Sequence, residues 1–193
     1  MKILWCDVES TGLNSVEHDI VSIALIVEID GEIKDELYLE IQPINWNTIS
    51  DEALKINGFT IEQLKTFMKP QEALDKIIYF LAKYVDRYKK DKKMEDKFVM
   101  SGYNVRFDSE MFCSWCKKLG YKYIGAFIDY HIIDIASLVL FLKMHGKIKM
   151  EGFKLVNVAS YLNASIDAHN AQSDIRATRE IALKLLNKIE VKE

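Results

Sequence analysis

The sequence predicts an α/β fold in which a mixed five-stranded sheet is flanked by helices. Three observations carry that expectation. The first forty residues contain three strand-like runs, two more short apolar runs lie at 98–102 and 127–135, and helical patterns separate and follow them. The 193 residues suffice for one well-buried core and are short for two, so 1–193 is expected to form a single domain. Hydrophobic residues make up 49 % of the chain, which excludes the polar, highly charged composition of a disordered one.

The first strand, 3–8, is short and mostly apolar. The second, 21–29, is rich in β-branched residues and runs into Asp30-Gly31, a two-residue hairpin signal. The third, 36–41, alternates apolar Leu37, Leu39 and Ile41 with polar residues, as a half-exposed strand does. The simplest arrangement sets the first strand at the core, flanked by an antiparallel hairpin. Helical patterns begin after Ser50, placed like an N-cap before Asp51 and Glu52. Asn57-Gly58 closes that helix, and Thr60 is a candidate cap for a helix over 61–67. Pro70 opens a long amphipathic helix with Leu74, Ile77, Ile78, Leu81 and Val85 on one face. Residues 89–97 (KKDKKMEDK) hold one apolar side chain and read as a solvated loop or helix end, with a phosphate-contacting patch as the alternative. A strand over 98–102 leads into Tyr103-Asn104, and a helix over 106–119 ends at Gly120. The strand over 127–135 precedes a helix over 136–144 ended by Gly146; helices over 154–162 and 171–189 complete the chain.

No apolar stretch is long enough to span a bilayer, and the N-terminal MKILWCDVES reaches acids before a signal-peptide core could form. Three cysteines, Cys6, Cys113 and Cys116, cannot complete a disulfide framework. A reducing, cytoplasmic location with no membrane association is expected. Cys113-x-x-Cys116 matches half of a zinc site but lacks a second pair and falls within a helix, so two thiols packed in or near the core are the reading.

Three short constellations carry chemistry. Asp7 and Glu9 are two apart on a strand and so project from one side. Paired acids at the end of an apolar strand repel each other, a cost that a hard cation with oxygen ligands removes; the alternative is a strand end with both acids solvated. In Ser10-Thr11-Gly12-Leu13, Gly12 lets the backbone approach a ligand, and its neighbours' N–H groups could hold a terminal hydroxyl or phosphate. Leu13 is either an apolar wedge for a base or a turn residue over the core. Asp108, in Asn104-Val105-Arg106-Phe107-Asp108, lies on the first turn of a helix that begins where a buried strand ends, positioned to point over the sheet edge or simply to favour the helix dipole. Phe107 and Phe112 flank it and read as anchors of that helix to the sheet. Finally, His169 precedes a long helix whose first turns carry Asp174, so a loop imidazole could accept a proton from water beside a metal ligand. His18, His131 and His145 have no acidic partner at a suggestive spacing and read as structural or solvated.

In order and spacing, Asp7-x-Glu9-x-Thr11-Gly12, Asn104-x-x-x-Asp108 and His169-x-x-x-x-Asp174 resemble the three motifs of the DEDDh exonucleases. That group is the DnaQ-like branch of the ribonuclease H-like superfamily and includes the proofreading subunit of bacterial DNA polymerase III. The resemblance runs from Ile3 to about Leu186 and extends to Ile56-Asn57-Gly58-Phe59-Thr60 and to Leu155-x-x-Val158-Ala159-x-x-Leu162. Asn170, where a tyrosine subgroup carries Tyr, places the chain with the histidine subgroup.

The resemblance implies a ribonuclease H-like fold and 3′→5′ exonuclease activity with two divalent cations, Mg²⁺ or Mn²⁺. Asp7 would bridge both, Glu9 and Asp174 would complete the first site, Asp108 would serve the second through water, and His169 would be the general base. Thr11, Gly12 and Leu13 would hold the terminal nucleotide, with Asn57, Phe59, Asn104 and Phe112 in the same pocket. The net charge of −3 lacks the basic footprint of a nucleic-acid binder, but bound cations would reverse the local field where phosphate docks. The implied partner is nucleic acid with a free 3′ end. Single-stranded DNA is favoured because the Asn57-Gly58 segment resembles the polymerase-associated branch; trimming of RNA or short oligoribonucleotides is the alternative. An idle nucleic-acid- or polymerase-binding domain would be free to lose one of the five residues, and all are present. The chain ends shortly after its last helical pattern, so a stand-alone enzyme is expected, with a polymerase or a second copy as possible partners.

Overall fold

Along the first strand, β1 (Lys2–Ser10), Leu4, Cys6 and Val8 alternate with Ile3, Trp5 and Asp7, and this alternation separates two apolar layers on the faces of one sheet. A computed structural model describes residues 1–166 and 170–187. The second strand, β2 (Ile20–Ile29), runs antiparallel to β1 and is covered on both faces, which is why it is almost continuously apolar rather than alternating. Asp30 and Gly31 form the hairpin turn at φ 53° and 86°, and β3 (Glu32–Glu40) returns as an edge strand. On the other side of β1, β4 (Phe98–Gly102) and β5 (Ile128–Asp134) run parallel to it, giving the order β3-β2-β1-β4-β5. This is the mixed five-stranded sheet the sequence predicts.

Helices fill the connections. Ser50 caps α1 (Asp51–Asn57), Thr60 caps α2 (Ile61–Thr66) in a reciprocal box with Gln63, and Pro70 opens α3 (Pro70–Ala82). The helix after β4 is α4 (Val105–Lys118); α5 (Ile135–Met144), α6 (Leu155–Leu162) and α7 (Ala171–Leu186) follow. Helices α3 and α4 cover the Leu4–Cys6–Val8 face, while α5, α6 and α7 cover the Trp5 face. Cys6 and Cys116 are buried and Cys113 half-buried, all as free thiols. Among the described residues no helix is long and apolar enough to cross a membrane.

Several boundaries differ from expectation. The third strand begins at Glu32 rather than 36, because a two-residue turn keeps the backbone ladder paired even where the edge carries mostly charged side chains. Helix α5 starts at Ile135, one residue earlier than expected, since Asp134 both ends β5 and caps the helix. Helix α3 stops at Ala82, yet Val85 is still buried beyond it. Three short 3₁₀ turns, at Trp46–Thr48, Met94–Asp96 and Ile124–Ala126, gave no sequence signal. Residues 89–97 are largely exposed around the second of these turns. The last residues of the helix expected over 171–189 lie outside the described residues.

One feature of the sheet shapes the site. Pairing of β1 with β4 ends at Trp5–Ser101, so the last five residues of β1 run on with a neighbouring strand on the β2 side only. Gly102 sits where β4 leaves the sheet, and a Cβ there would fall 2.7 Å from the Cys6 carbonyl oxygen. Only glycine permits that approach.

Candidate active site

The end of β1 that outruns β4 carries the two acids. Asp7 and Glu9 lie on the same side as Trp5, the face covered by α7, so strand alternation points both carboxylates toward the helix that bears Asp174. One carboxylate oxygen from each of Asp7, Glu9 and Asp174 lies within 4.8 Å of the others. All three residues are partly buried. Burial pushes the Asp7 carboxyl well up, and the negative charges of Asp108, Glu9 and Asp174 add to the effect. Glu9 is pushed to about 7 by burial, then by Asp174 and Asp108. Carboxylates so placed resist full ionisation. Oxygen-only donors at this separation suit a hard divalent cation, whose ligand oxygens lie about 2.0–2.6 Å from the ion. The donor set fits such an ion.

Asp108 approaches from the opposite layer. It projects from the first turn of α4, is 4 % exposed, and accepts the Val8 backbone N–H at 3.0 Å. That N–H belongs to the part of β1 that outruns β4, so the carboxylate supplies the acceptor a neighbouring strand would have given. Burial raises the Asp108 carboxyl to about 7, with its backbone hydrogen bonds opposing and Asp134 adding to the rise. Asp108 therefore stands outside the group of three while remaining within electrostatic reach of Asp7. His169 lies outside the described residues.

Beside Glu9 a cavity of about 460 Å³ opens between the end of β1 and α1. Gly12 and Leu13 line it, as expected, and Leu13 is 86 % exposed. The other residues expected in the pocket are elsewhere. Thr11 is fully buried; its hydroxyl accepts the Asp19 N–H at 2.9 Å and its carbonyl accepts the Ser50 N–H, so it fastens the loop and offers nothing to a ligand. Asn57 donates to the Ser10 carbonyl at 3.2 Å and accepts from the Phe59 N–H, tying α1 to the end of β1. Phe59 packs edge-on against Phe67 with centroids 5.1 Å apart. Phe112 is fully buried in the core, one helical turn beyond Asp108, as its anchoring reading predicts and its pocket reading does not. Asn104 is exposed at the start of α4 in the left-handed region, φ 60°, and its N–H donates to Asp134.

The sequence reading did not assign His18, Ile56 and Phe107 to the cavity, yet all three line it. Ile56 is apolar on the exposed side of α1, 53 % exposed, a mismatch with helix amphipathicity that could have marked it. His18 carries no such signal. Its imidazole lies on Gly12, where a Cβ would come within 2.3 Å of the ring, so Gly12 is needed for the ring to lie there. His131 does have an acidic partner, Asp129 two residues earlier at 2.5 Å, on an exposed stretch of β5.

The RNase_T family model, described as an exonuclease, matches residues 4–182. The chain belongs to this exonuclease family. Among curated proteins it is similar to the PolC-type DNA polymerase III of Thermotoga petrophila, 26 % identical over 182 residues that cover 93 % of this chain and 11 % of the relative. The PolC-type polymerase of Lacticaseibacillus paracasei is 28 % identical over 174 residues, 89 % of this chain and 10 % of the relative. The exonuclease chain thus spans about a tenth of the length of these relatives. Its fold is ribonuclease H-like. E. coli exonuclease I in complex with a dT13 oligonucleotide superposes with a TM-score of 0.77 at 18 % identity, over 96 % of this chain and 41 % of that one. The nuclease domain of 3′hExo, a DEDDh family member bound to rAMP, superposes with a TM-score of 0.70 at 19 % identity, over 100 % and 96 %.

For this exonuclease the Asp108 geometry separates two duties of one carboxylate. Asp108→Ala would strand the buried Val8 N–H and is expected to cost about 1–3 kcal/mol in chemical denaturation. Asp108→Asn keeps an oxygen for that N–H and is expected to retain most of the stability. Equal losses in the two variants would refute the role of the hydrogen bond.

Proposed function

We propose that this chain is a metal-dependent 3′→5′ exonuclease, 1–193 acting as one exonuclease domain, which removes nucleoside 5′-monophosphates from the 3′ end of nucleic acid, with single-stranded DNA favoured. The observation that carries the reading is the convergence of Asp7, Glu9 and Asp174 from β1 and α7 to within 4.8 Å, beside a cavity floored by Gly12 and walled by Leu13. The family match supports the reaction class.

Asp7, Glu9 and Asp174 would hold divalent cations, Mg²⁺ or Mn²⁺, with Asp108 serving a second ion. Two such ions supply charge neutralisation at the scissile phosphate and a lower pKa for water. The chain's own residues do the rest. Leu13, Ile56 and Phe107 give the terminal nucleotide an apolar wall, which excludes water and fixes its orientation. Asp108 fixes the course of β1 through Val8, and so the aim of Asp7 and Glu9. His169, assigned from its motif, takes the proton of the attacking water. A new P–O bond forms to that water as the P–O3′ bond breaks, leaving a nucleoside 5′-monophosphate and a shortened strand ending in a 3′-hydroxyl. The PolC-type relatives support work beside a polymerase. RNA is the second reading, favoured by the full-length superposition with a nuclease domain bound to rAMP.

The test is shortening of 5′-labelled DNA and RNA single strands with Mg²⁺ or Mn²⁺, repeated with EDTA. A metal-dependent ladder from the 3′ end is expected, faster on DNA; its absence on both strands would overturn the proposal. Replacing His169 by Ala is expected to lower kcat by about 100- to 10,000-fold, the range for a positioned general base. A kcat within tenfold of the parent would remove His169 from that role.

A further inference from the structure

Residues 143–154 form a basic, largely exposed stretch that a hydrogen bond ties to Tyr103, the residue just before the start of the helix bearing Asp108. Lys143, Lys147, Lys149 and Lys154 stand there against one acid, Glu151, in a chain whose net charge is −3. The loop is held rather than loose. The Lys147 N–H donates to the Leu142 carbonyl, the Lys149 N–H donates to the Tyr161 hydroxyl at 3.3 Å, and the Tyr103 hydroxyl donates to the Phe153 carbonyl. Gly152 turns the chain at φ 72°, just before Phe153. Because the tether takes the carbonyl of Phe153, its ring is left at the surface, 44 % exposed, with the Lys143 ammonium 4.6 Å from its centroid.

Tyr103 joins this loop to the start of α4. It is followed by the exposed Asn104, which starts the helical turn bearing Phe107 of the cavity and Asp108. The Asn104 N–H donates at 2.8 Å to Asp134, whose carboxylate also accepts from Ala136 and Ser137, so that carboxylate is already satisfied. A strand whose last nucleotide fills the cavity by Leu13 has its phosphate at the acids. On the side of Tyr103, the surface tied to the start of α4 carries the exposed Phe153 ring among lysines. Such a surface suits single-stranded nucleic acid, because every base has a face to stack and every phosphate a charge to neutralise.

We propose that Tyr103, Phe153 and Lys143, with Lys147 and Lys149 around them, form a track that binds the single strand upstream of the scissile 3′-terminal nucleotide. This rests on the exonuclease reading. Phe153 stacks an upstream base, and the lysines neutralise the phosphates on either side of it. Tyr103 is a positioning residue that holds the loop in place.

The test compares the full chain with Phe153→Ala and with a Lys147→Ala, Lys149→Ala double variant, on the p-nitrophenyl ester of thymidine 5′-monophosphate and on dT strands of graded length. In the parent, KM is expected to fall as the strand lengthens beyond a few nucleotides. Phe153→Ala is expected to raise KM for long strands about 5- to 20-fold, within the range of one lost base stack, with kcat little changed. The double lysine variant is expected to flatten the salt dependence of strand binding by about two phosphate contacts. If both variants keep the parent's length and salt dependence, the track is overturned. If the parent cleaves neither substrate, the exonuclease reading fails instead. Fluorescence anisotropy of a labelled dT strand then decides the track separately: loss of binding in the variants upholds it, and equal binding overturns it.

Discussion

Asp7→Asn is expected to lower nuclease activity by at least about 1,000-fold while making the metal-free protein more stable. The two effects have one cause. Asp7 sits among Glu9, Asp108 and Asp174, and its carboxyl is pushed up by burial and by all three neighbouring charges. The amide has nearly the same shape but no charge, so the repulsion at Glu9 and Asp108 falls and the fold relaxes. The same change removes a ligand oxygen, a heavier loss than the 10- to 100-fold associated with groups that merely orient ligands. Single-turnover cleavage of a labelled strand and thermal unfolding in EDTA measure the two effects. Activity within tenfold of the parent would remove Asp7 from the site, and a lowered melting temperature in EDTA would contradict the charge-repulsion account.

Chelation of divalent ions is expected to abolish activity altogether and to make stability depend on pH in a defined direction. Glu9 and Asp108 titrate near 7 in the folded chain, against ordinary values of 4.5 and 3.8. Between those limits the folded protein holds protons that the unfolded chain has released, so unfolding becomes easier as pH rises through about 7. The contribution is present in full below about 4 and is lost above 7. At about 1.4 kcal/mol for each pH unit, the pair is worth up to about 8 kcal/mol, or ten degrees or more of melting temperature for a chain of this size. In EDTA, melting is expected to be lower at pH 8 than at pH 5. Mg²⁺ should restore it at pH 8 and do little at pH 5, where the carboxylates are protonated. A melting temperature indifferent to both pH and Mg²⁺ would argue that the acids are solvated rather than clustered.

How much of this the sequence revealed depends on the range of the physics involved. Local rules sufficed for the hairpin at Asp30-Gly31, the caps at Ser50 and Thr60, and the projection of Asp7 and Glu9 from one side of β1, since each depends on residues within a few positions. The convergence of Asp174 with those acids needed the ordered motif, because nothing local to α7 says which end of which strand it will face. What escaped the sequence was decided by long-range fit. Thr11 looks like a ligand-binding residue beside Gly12, yet Asp19 and Ser50, eight and thirty-nine residues away, claim its polar groups. Phe112 is legible as an anchor of α4, and a helical turn beyond Asp108 does carry it into the core. The hydrogen bond between Asp108 and Val8 bridges one hundred residues and exists only because β1 is longer than β4.

That last mismatch in strand length gives the site an internal spectator. The Val8 amide proton is handed to a titrating carboxylate instead of to a neighbouring peptide, so its resonance and its exchange with deuterium follow the ionisation of Asp108. Protonating Asp108 weakens the acceptor and loosens that one amide, while amides paired across β1 and β2 stay locked. A single backbone signal, read without substrate, therefore reports the electrical state of the acidic end of the sheet.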